Sequence, residues 1–186
     1  APAPVSALLH AVAVVKAGVF TILKISVYIF GFDTLASIGI RDILIWAPAI
    51  TILLGSAIAM RQDDIKARLA YSTVSQLSYI VLGALMANQL ALVGSGLHIP
   101  MHAFGKITLF FCAGSIMVFA GKKYVSELNG LGRSMPWTFG AFLVAALSIA
   151  GLPPTGGLWS KWYLALGALE AGQVALLLRA GALPAP

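Results

Sequence analysis

LALVGSGLHIPMHAFGKITLFFCAGSIMVFA, residues 90–120, is an apolar run with a single formal charge, Lys106, near its middle. A bilayer-spanning helix needs about 20 mostly apolar residues, and this stretch exceeds that length. Within it, His98, His102 and Lys106 recur at i, i+4 and i+8. Each helical residue turns about 100°, so the three fall on one face within about 80°. A file of titratable groups inside an apolar helix therefore sets both the fold class and the functional question.

The rest of the chain agrees with a membrane reading. Of its 186 residues, 60% are hydrophobic and 10% charged, against about 45–50% and about 25% in soluble domains. A chain this short would need far more polar surface to fold in water. The net charge of +6, twelve Lys and Arg against six Asp and Glu, is spread over short loops and isolated positions. It forms no basic stripe with interleaved aromatics, so nucleic acid is not expected as a partner. Cys112 is the only cysteine, which excludes an intrachain disulfide and reads as a small packing residue. Ala1 to Pro4 show no charged leader, so a signal peptide is not expected, and the chain reads as part of something longer.

Five segments are long and apolar enough to span: Val5 to Phe30, Ile43 to Met60, Ile65 to Met86, Leu90 to Ala120, and Pro136 to Leu169. A sixth begins near Val174. The expected fold is all-α, a polytopic transmembrane helix bundle. Polar clusters separate the spans: residues 31–42, the RQDDIKAR loop 61–68, a tight turn at 87–89, and 121–134. Loops 61–68 and 121–134 carry Arg61, Lys66, Arg68, Lys122, Lys123 and Arg133, whereas the other side carries only Arg41. The positive-inside rule places those two loops in the cytoplasm, in the inner cell membrane.

The fifth segment is too long for one straight span, and GLPPTGG, residues 151–157, interrupts it. Pro153 and Pro154 remove two amide donors, while Gly156 and Gly157 loosen the backbone. Two readings are open: a tight loop between short spans, or a helix broken at membrane depth. Broken helices recur at ion sites of transporters.

Lys16 and Lys106 lie near span centres, and Lys161 lies just past the break. A lysine at a helix centre costs roughly 2.5–3.5 kcal/mol on insertion scales. Lys24 suits snorkelling to the headgroups instead. Almost no acid lies within the spans; Glu170 is near an end, and the other acids are in loops. A dehydrated lysine holds its proton less firmly than one in water, and imidazole exchanges protons through either ring nitrogen. Together they suit a proton relay. Two His at i, i+4 also suit zinc, but a lysine shares that face and no acid or thiol does, so no metal and no other cofactor is expected. Pro100, between the histidines, is expected to disturb the backbone and admit water. His10 and Lys16 are turned about 240° apart on one helix, so a direct exchange between them is not expected without water. Tyr71, Ser72, Thr73, Ser75, Gln76, Ser78 and Tyr79 either line a wet path or simply bond helix to helix. There is no nucleophile–base pair and no phosphate loop, so an enzyme active site is not expected.

PAPVSALLHAVAVVKAGVF, DDIKARLAYSTVSQLSYIVLGAL, HIPMHAFGKITLFFCAGS and GLPPTGGLWSKWYL occur in that order. This series resembles the antiporter-like subunit family, which includes the large proton-pumping subunits of respiratory complex I and the A and D subunits of Mrp-type sodium/proton antiporters. The wording of the first motif is most similar to the D-subunit group. The resemblance implies a fragment of a protein of about fourteen spans built from two inverted five-helix repeats. Residues 1–30 would be the last helix of the upstream repeat and 31–186 the second repeat, incomplete at its C-terminus. It further implies that Lys16 is the axial lysine between repeats, Lys106 the central lysine of the second repeat, Lys161 the terminal one, and His10 a link between half-channels. The family's membrane glutamate and the lysine on the first broken helix would lie upstream of Ala1. The implied function is proton translocation coupled to sodium efflux, with the bilayer and other membrane subunits as partners; the alternative is a proton-pumping subunit of a complex I-like redox assembly.

Overall fold

A computed structural model of the chain describes residues 14–172, the Ala36 side chain excepted. His10, the start of the first span and the sixth segment near Val174 lie outside the described residues. Everything regular is helical. The first rod comprises α1 (Val14–Lys24), a π-helical stretch (Ile25–Phe30) and α2 (Gly31–Ser37). Helix therefore reaches seven residues into what was expected to be a loop. Helices α3 (Arg41–Leu44) and α4 (Trp46–Arg61) form the next rod, followed by α5 (Ile65–Leu85) and α6 (Gln89–Ala120). After a 3-10 turn (Val125–Glu127) and the short α7 (Leu131–Ser134) come α8 (Pro136–Ala150) and α9 (Gly156–Glu170).

Local chemistry sets the boundaries. The Asp64 side chain accepts from the Lys66 and Ala67 amides at the start of α5, and Asn88 does the same for Ala91 at the start of α6; both are N-caps of the expected kind. Arg68 donates to the Ala59 and Met60 carbonyls and so closes α4. Gly121, at φ 68°, ends α6. Pro100 does not break α6, which runs 32 residues without interruption, contrary to the disturbance expected from sequence. The missing amide deprives only the Gly96 carbonyl, and a glycine there leaves open space beside the ring.

Helix α5 is the central element. It packs against α4 through Ser75, whose hydroxyl lies 2.8 Å from that of Ser56 and donates to the Ile52 carbonyl. On another face it packs against α6. Three helical stretches are long and apolar enough to cross a membrane, Val14–Leu35, Arg41–Arg61 and Gln89–Ala120. The largely buried α5 carries many of the polar residues instead. The outer faces are apolar, with Trp137, Val118, Phe104 and Phe119 all exposed.

The contacts of α6 decide between the two readings of the fifth segment. Leu109 and Gly105 meet Ala145 and Ile149 of α8. One turn back, Met101 touches Gly156. Further back His98 meets Ser160, Gly94 meets Leu164, and Ala91 meets Gly167 of α9. Residue numbers fall on α6 as they rise from α8 to α9, so both halves run antiparallel to α6 along one line. The segment is one broken span, not a hairpin.

Both predicted same-side loops meet at one end of the bundle. Ile65 donates to the Lys123 carbonyl at 3.0 Å, Val125 to the Asp63 carbonyl at 2.8 Å, and the Asp63 carboxylate takes the Ser126 amide and hydroxyl at 3.0 and 2.7 Å. These bonds from Ser126 hold the exposed Asp63 carboxyl below the usual carboxylate range.

Candidate proton path

The α5–α6 pair builds the site. Its antiparallel register brings Lys106 beside Leu69 and Ser72, His98 beside Tyr79, and Ser95 beside Ile80. The predicted file is therefore real and points inward: His98 is 3% exposed, His102 2% and Lys106 0%. Burying a lysine completely is tolerable only if its donors are satisfied. Here Lys106 Nζ donates to the Leu69 carbonyl at 3.0 Å and to the Ser72 hydroxyl. Ser72 and Thr73 both also bond back to Leu69, which fixes the neutral cradle around the ammonium. None of the buried polar side chains described is a carboxylate.

The two imidazoles stack, with centroids 5.8 Å apart and planes 12° apart. His98 Nδ1 lies 3.0 Å from the Ser160 hydroxyl, which donates to the Gly157 carbonyl, also at 3.0 Å. Ser160 was not anticipated as a site residue. Its only signal was spacing, since Gly157, Ser160, Leu164 and Gly167 form one stripe of α9 that the apolar composition concealed.

Lys161 sits where the helix breaks. Its Nζ donates to the carbonyls of Ile149 at 2.8 Å and Ala150 at 3.1 Å, and lies 5.6 Å from the Tyr79 ring centre. The last carbonyls of a helix have no partner in the helix itself and carry partial negative charge, so the break creates a cation seat and Lys161 fills it. Gly151, at φ 84°, closes α8 through its amide to Leu147 and Ser148. A side chain on Gly157 would collide with the Ser148 carbonyl, which explains a glycine there. Pro153 and Pro154 lie exposed in the connection, and Gly156 packs on Met101.

Lys16, 6% exposed on α1, lies within electrostatic reach of both imidazoles. Around it Val15 and Val19 pack on Leu77, Ile80, Val81 and Ile99. The fold thus gathers Lys16, His98, His102, Lys106 and Lys161 in one region; His10 lies outside the described residues. Lys24 is different. It is exposed, stands over Phe20 and Tyr28 at 5.7 and 5.9 Å, and fits snorkelling. Of the polar residues of α5, Ser78 bonds within its own helix, Ser75 bonds to α4, Ser72 meets Lys106 and Tyr79 meets His98; Tyr71 is 39% exposed. Cys112 is buried packing.

Comparison with known proteins gives a consistent picture. The family model described as "NADH:quinone oxidoreductase/Mrp antiporter, TM" matches residues 1–183. The chain is 45% identical over 171 residues to NADH-quinone oxidoreductase subunit N of Desulforudis audaxviator, covering 92% of this chain and 34% of that one. It is 37% identical over 161 residues to NADH-quinone oxidoreductase subunit L of Rickettsia bellii, with 86% and 24% covered. Among solved structures, the Mrp complex from a Dietzia species aligns with a TM-score of 0.85 at 35% identity, over 97% of this chain and 20% of that one. An archaeal membrane-bound sulfane sulfur reductase shares the fold, with a TM-score of 0.81 at 24% identity, over 97% of this chain and 37% of that one. The chain spans about a quarter to a third of the length of these curated relatives.

Proposed function

Because this chain belongs to the NADH:quinone oxidoreductase/Mrp antiporter family of membrane subunits, we propose that it moves protons through the bilayer along Lys16, His98, His102, Lys106 and Lys161. It is a multi-pass integral membrane protein of the antiporter-like type. The observation that carries the proposal is the file on α6: three titratable side chains at successive turns, all buried, with the lysine held by neutral groups alone. A structural ion pair would have brought a carboxylate to Lys106.

The steps follow from the contacts. Protonated Lys106 rests on the Leu69 carbonyl and the Ser72 hydroxyl. A proton leaving it passes to His102 and on to His98 through a bridging water, since stacked rings do not bond each other directly. His98 exchanges with Ser160 and, past Tyr79, with Lys161. Charge on one site disfavours charge on the next at these separations and low dielectric, so loading Lys16 from an upstream half drives the proton forward. In this reading the chain itself performs no redox chemistry. Residues 1–30 close the upstream repeat, 31–186 form the second, and loops 61–68 and 121–134 face the cytoplasm of the inner membrane.

For the assembly we favour a multisubunit Mrp-type Na+/H+ antiporter, with other membrane subunits alongside. The 35% identity and close superposition with a chain of a Mrp complex and the wording of the first motif support it. The 45% identity to a quinone oxidoreductase subunit favours the complex I-like alternative.

The test is Lys106→Ala in the full-length protein within its complex. Proton-coupled transport in vesicles is expected to fall at least 10-fold, with normal assembly. Wild-type transport would overturn the relay.

A further inference from the structure

One buried polar group of α5 has no place in the path just described. Gln76 is 1% exposed, and its Oε1 accepts no hydrogen bond. Among the described residues, the other buried side-chain atoms lacking a hydrogen bond are His98 Nε2 and both nitrogens of His102. Unsatisfied buried polar groups are costly and rare, and here all four belong to one neighbourhood.

The register shows why. Lys106 lies opposite Ser72, His98 opposite Tyr79, and Ser95 opposite Ile80. Counting along the antiparallel pair puts His102 level with residues 75 and 76. Ser75 is committed to α4. Gln76 follows Ser72 by one turn and precedes Tyr79 by three residues, so it lies within about 60° of both on the helix. His102 is also the one member of the file with no hydrogen bond of its own, for Lys106 has Leu69 and Ser72, and His98 has Ser160.

We propose that the Gln76 carboxamide is a positioning residue of the proton path, holding the His102 imidazole in one orientation and one tautomer between Lys106 and His98. A carboxamide suits this role. Its oxygen, unbonded in this structure, can accept from one ring N–H once the side chain turns toward it, which would leave the other ring nitrogen free to take a proton. It does not itself ionise, so it steers without trapping charge. An apolar side chain of equal size would let the ring turn and mix tautomers. This inference rests on the relay reading.

The experiment uses the full-length protein in its complex, reconstituted in vesicles, with proton uptake followed by an internal pH dye and normalised to assembled protein. Gln76→Leu is expected to lower the rate per complex at least 10-fold. Gln76→Glu restores an acceptor but adds a charge facing His102, and is expected to keep transport with its pH profile displaced toward alkaline pH. A purely structural Gln76 predicts less assembled complex, a normal rate per complex and an unchanged profile in both variants, and that result overturns the inference. If Gln76→Leu fails to assemble, the profile of Gln76→Glu decides alone. Lys106→Ala runs in parallel: transport lost there but untouched in the Gln76 variants sinks only the role of Gln76, whereas transport untouched in Lys106→Ala sinks the relay itself.

Discussion

At the scale of single residues, a lysine here is defined by what replaces its water. Lys106 and Lys161 are both bound by uncharged oxygens, yet for different reasons. The carbonyl seat of Lys161 exists because α8 ends inside the bundle. Lys161→Met leaves the Ile149 and Ala150 carbonyls without that donor, and is expected to destabilise the protein by about 1–3 kcal/mol, read from thermal unfolding of the full-length protein. Lys161→Arg keeps a donor there and should recover most of that stability. A substitution at Lys106 differs again, because the Leu69 carbonyl already accepts from Ser72 and Thr73. The sequence showed which histidines share a face with Lys106, since 3.6-residue periodicity needs no tertiary knowledge. It did not show Ser160 or the reach of Lys16 to the imidazoles. Those depend on how α9 and α1 lie against α6, and an apolar helix in lipid carries little mark of which face meets a neighbour.

At the scale of elements, two devices hold the helices in place. The first is close packing through small residues. A side chain on Gly167 would come within 2.5 Å of the Ala91 amide, and one on Gly94 within 2.6 Å of the Leu164 amide. Backbone cannot move aside as a side-chain tip can, so Gly167→Val is expected to cost about 1–3 kcal/mol and to reduce the folded yield in membranes, whereas Gly96→Ala, which faces open space, should not. The second device is the clamp between Asp63 and Ser126. Because Ser126 lowers the Asp63 carboxyl pKa in the folded state, its contribution is complete above the ordinary carboxylate range. It is lost as pH falls below about 4. Hydrogen exchange at the Ser126 amide should therefore quicken on acidification through that window in the wild type, and be fast and nearly pH-insensitive, after correction for intrinsic rates, in Asp63→Ala. The broken helix was legible as a break favouring a helix interrupted at membrane depth over a tight loop between two short spans, and its descending contacts along α6 agree with one broken span. Pro100 was over-read, since proline's cost depends on the carbonyl it leaves and here that carbonyl belongs to Gly96.

At the scale of the whole molecule, the described chain buries a file of polar side chains among apolar clusters and presents an apolar exterior, unlike a soluble design. Its five described rods place α5 and α6 centrally with Lys16 entering from α1 and Lys161 from α9. The fold class and family were legible because composition acts over the full length and four ordered motifs lie between residues 2 and 164. The coupled ion was not, because a path of buried lysines and histidines would carry protons in the same way whether sodium or redox chemistry drove it. Purified complex free of redox partners should exchange sodium for protons in vesicles. Failure to do so, with proton movement restored by quinone or ferredoxin turnover, would assign the chain to the redox assembly.

The pairing of loop 62–64 with loop 123–126 has a mechanical corollary. It ties the first turn of α5 to the end of α6, while the Asn88 side chain, bonded to the Gly167 carbonyl at 2.7 Å, ties the start of α6 to α9. Fastened at both ends, α6 holds Lys106 and His98 in register with α5 on one side and α9 on the other. Sliding α5 past α6 would break the seat of Lys106 and the loop pairing together, and sliding α9 past α6 would break the Asn88 bond. On the path proposed above, what would move is then the proton and a lysine's flexible stem, between helices held in register.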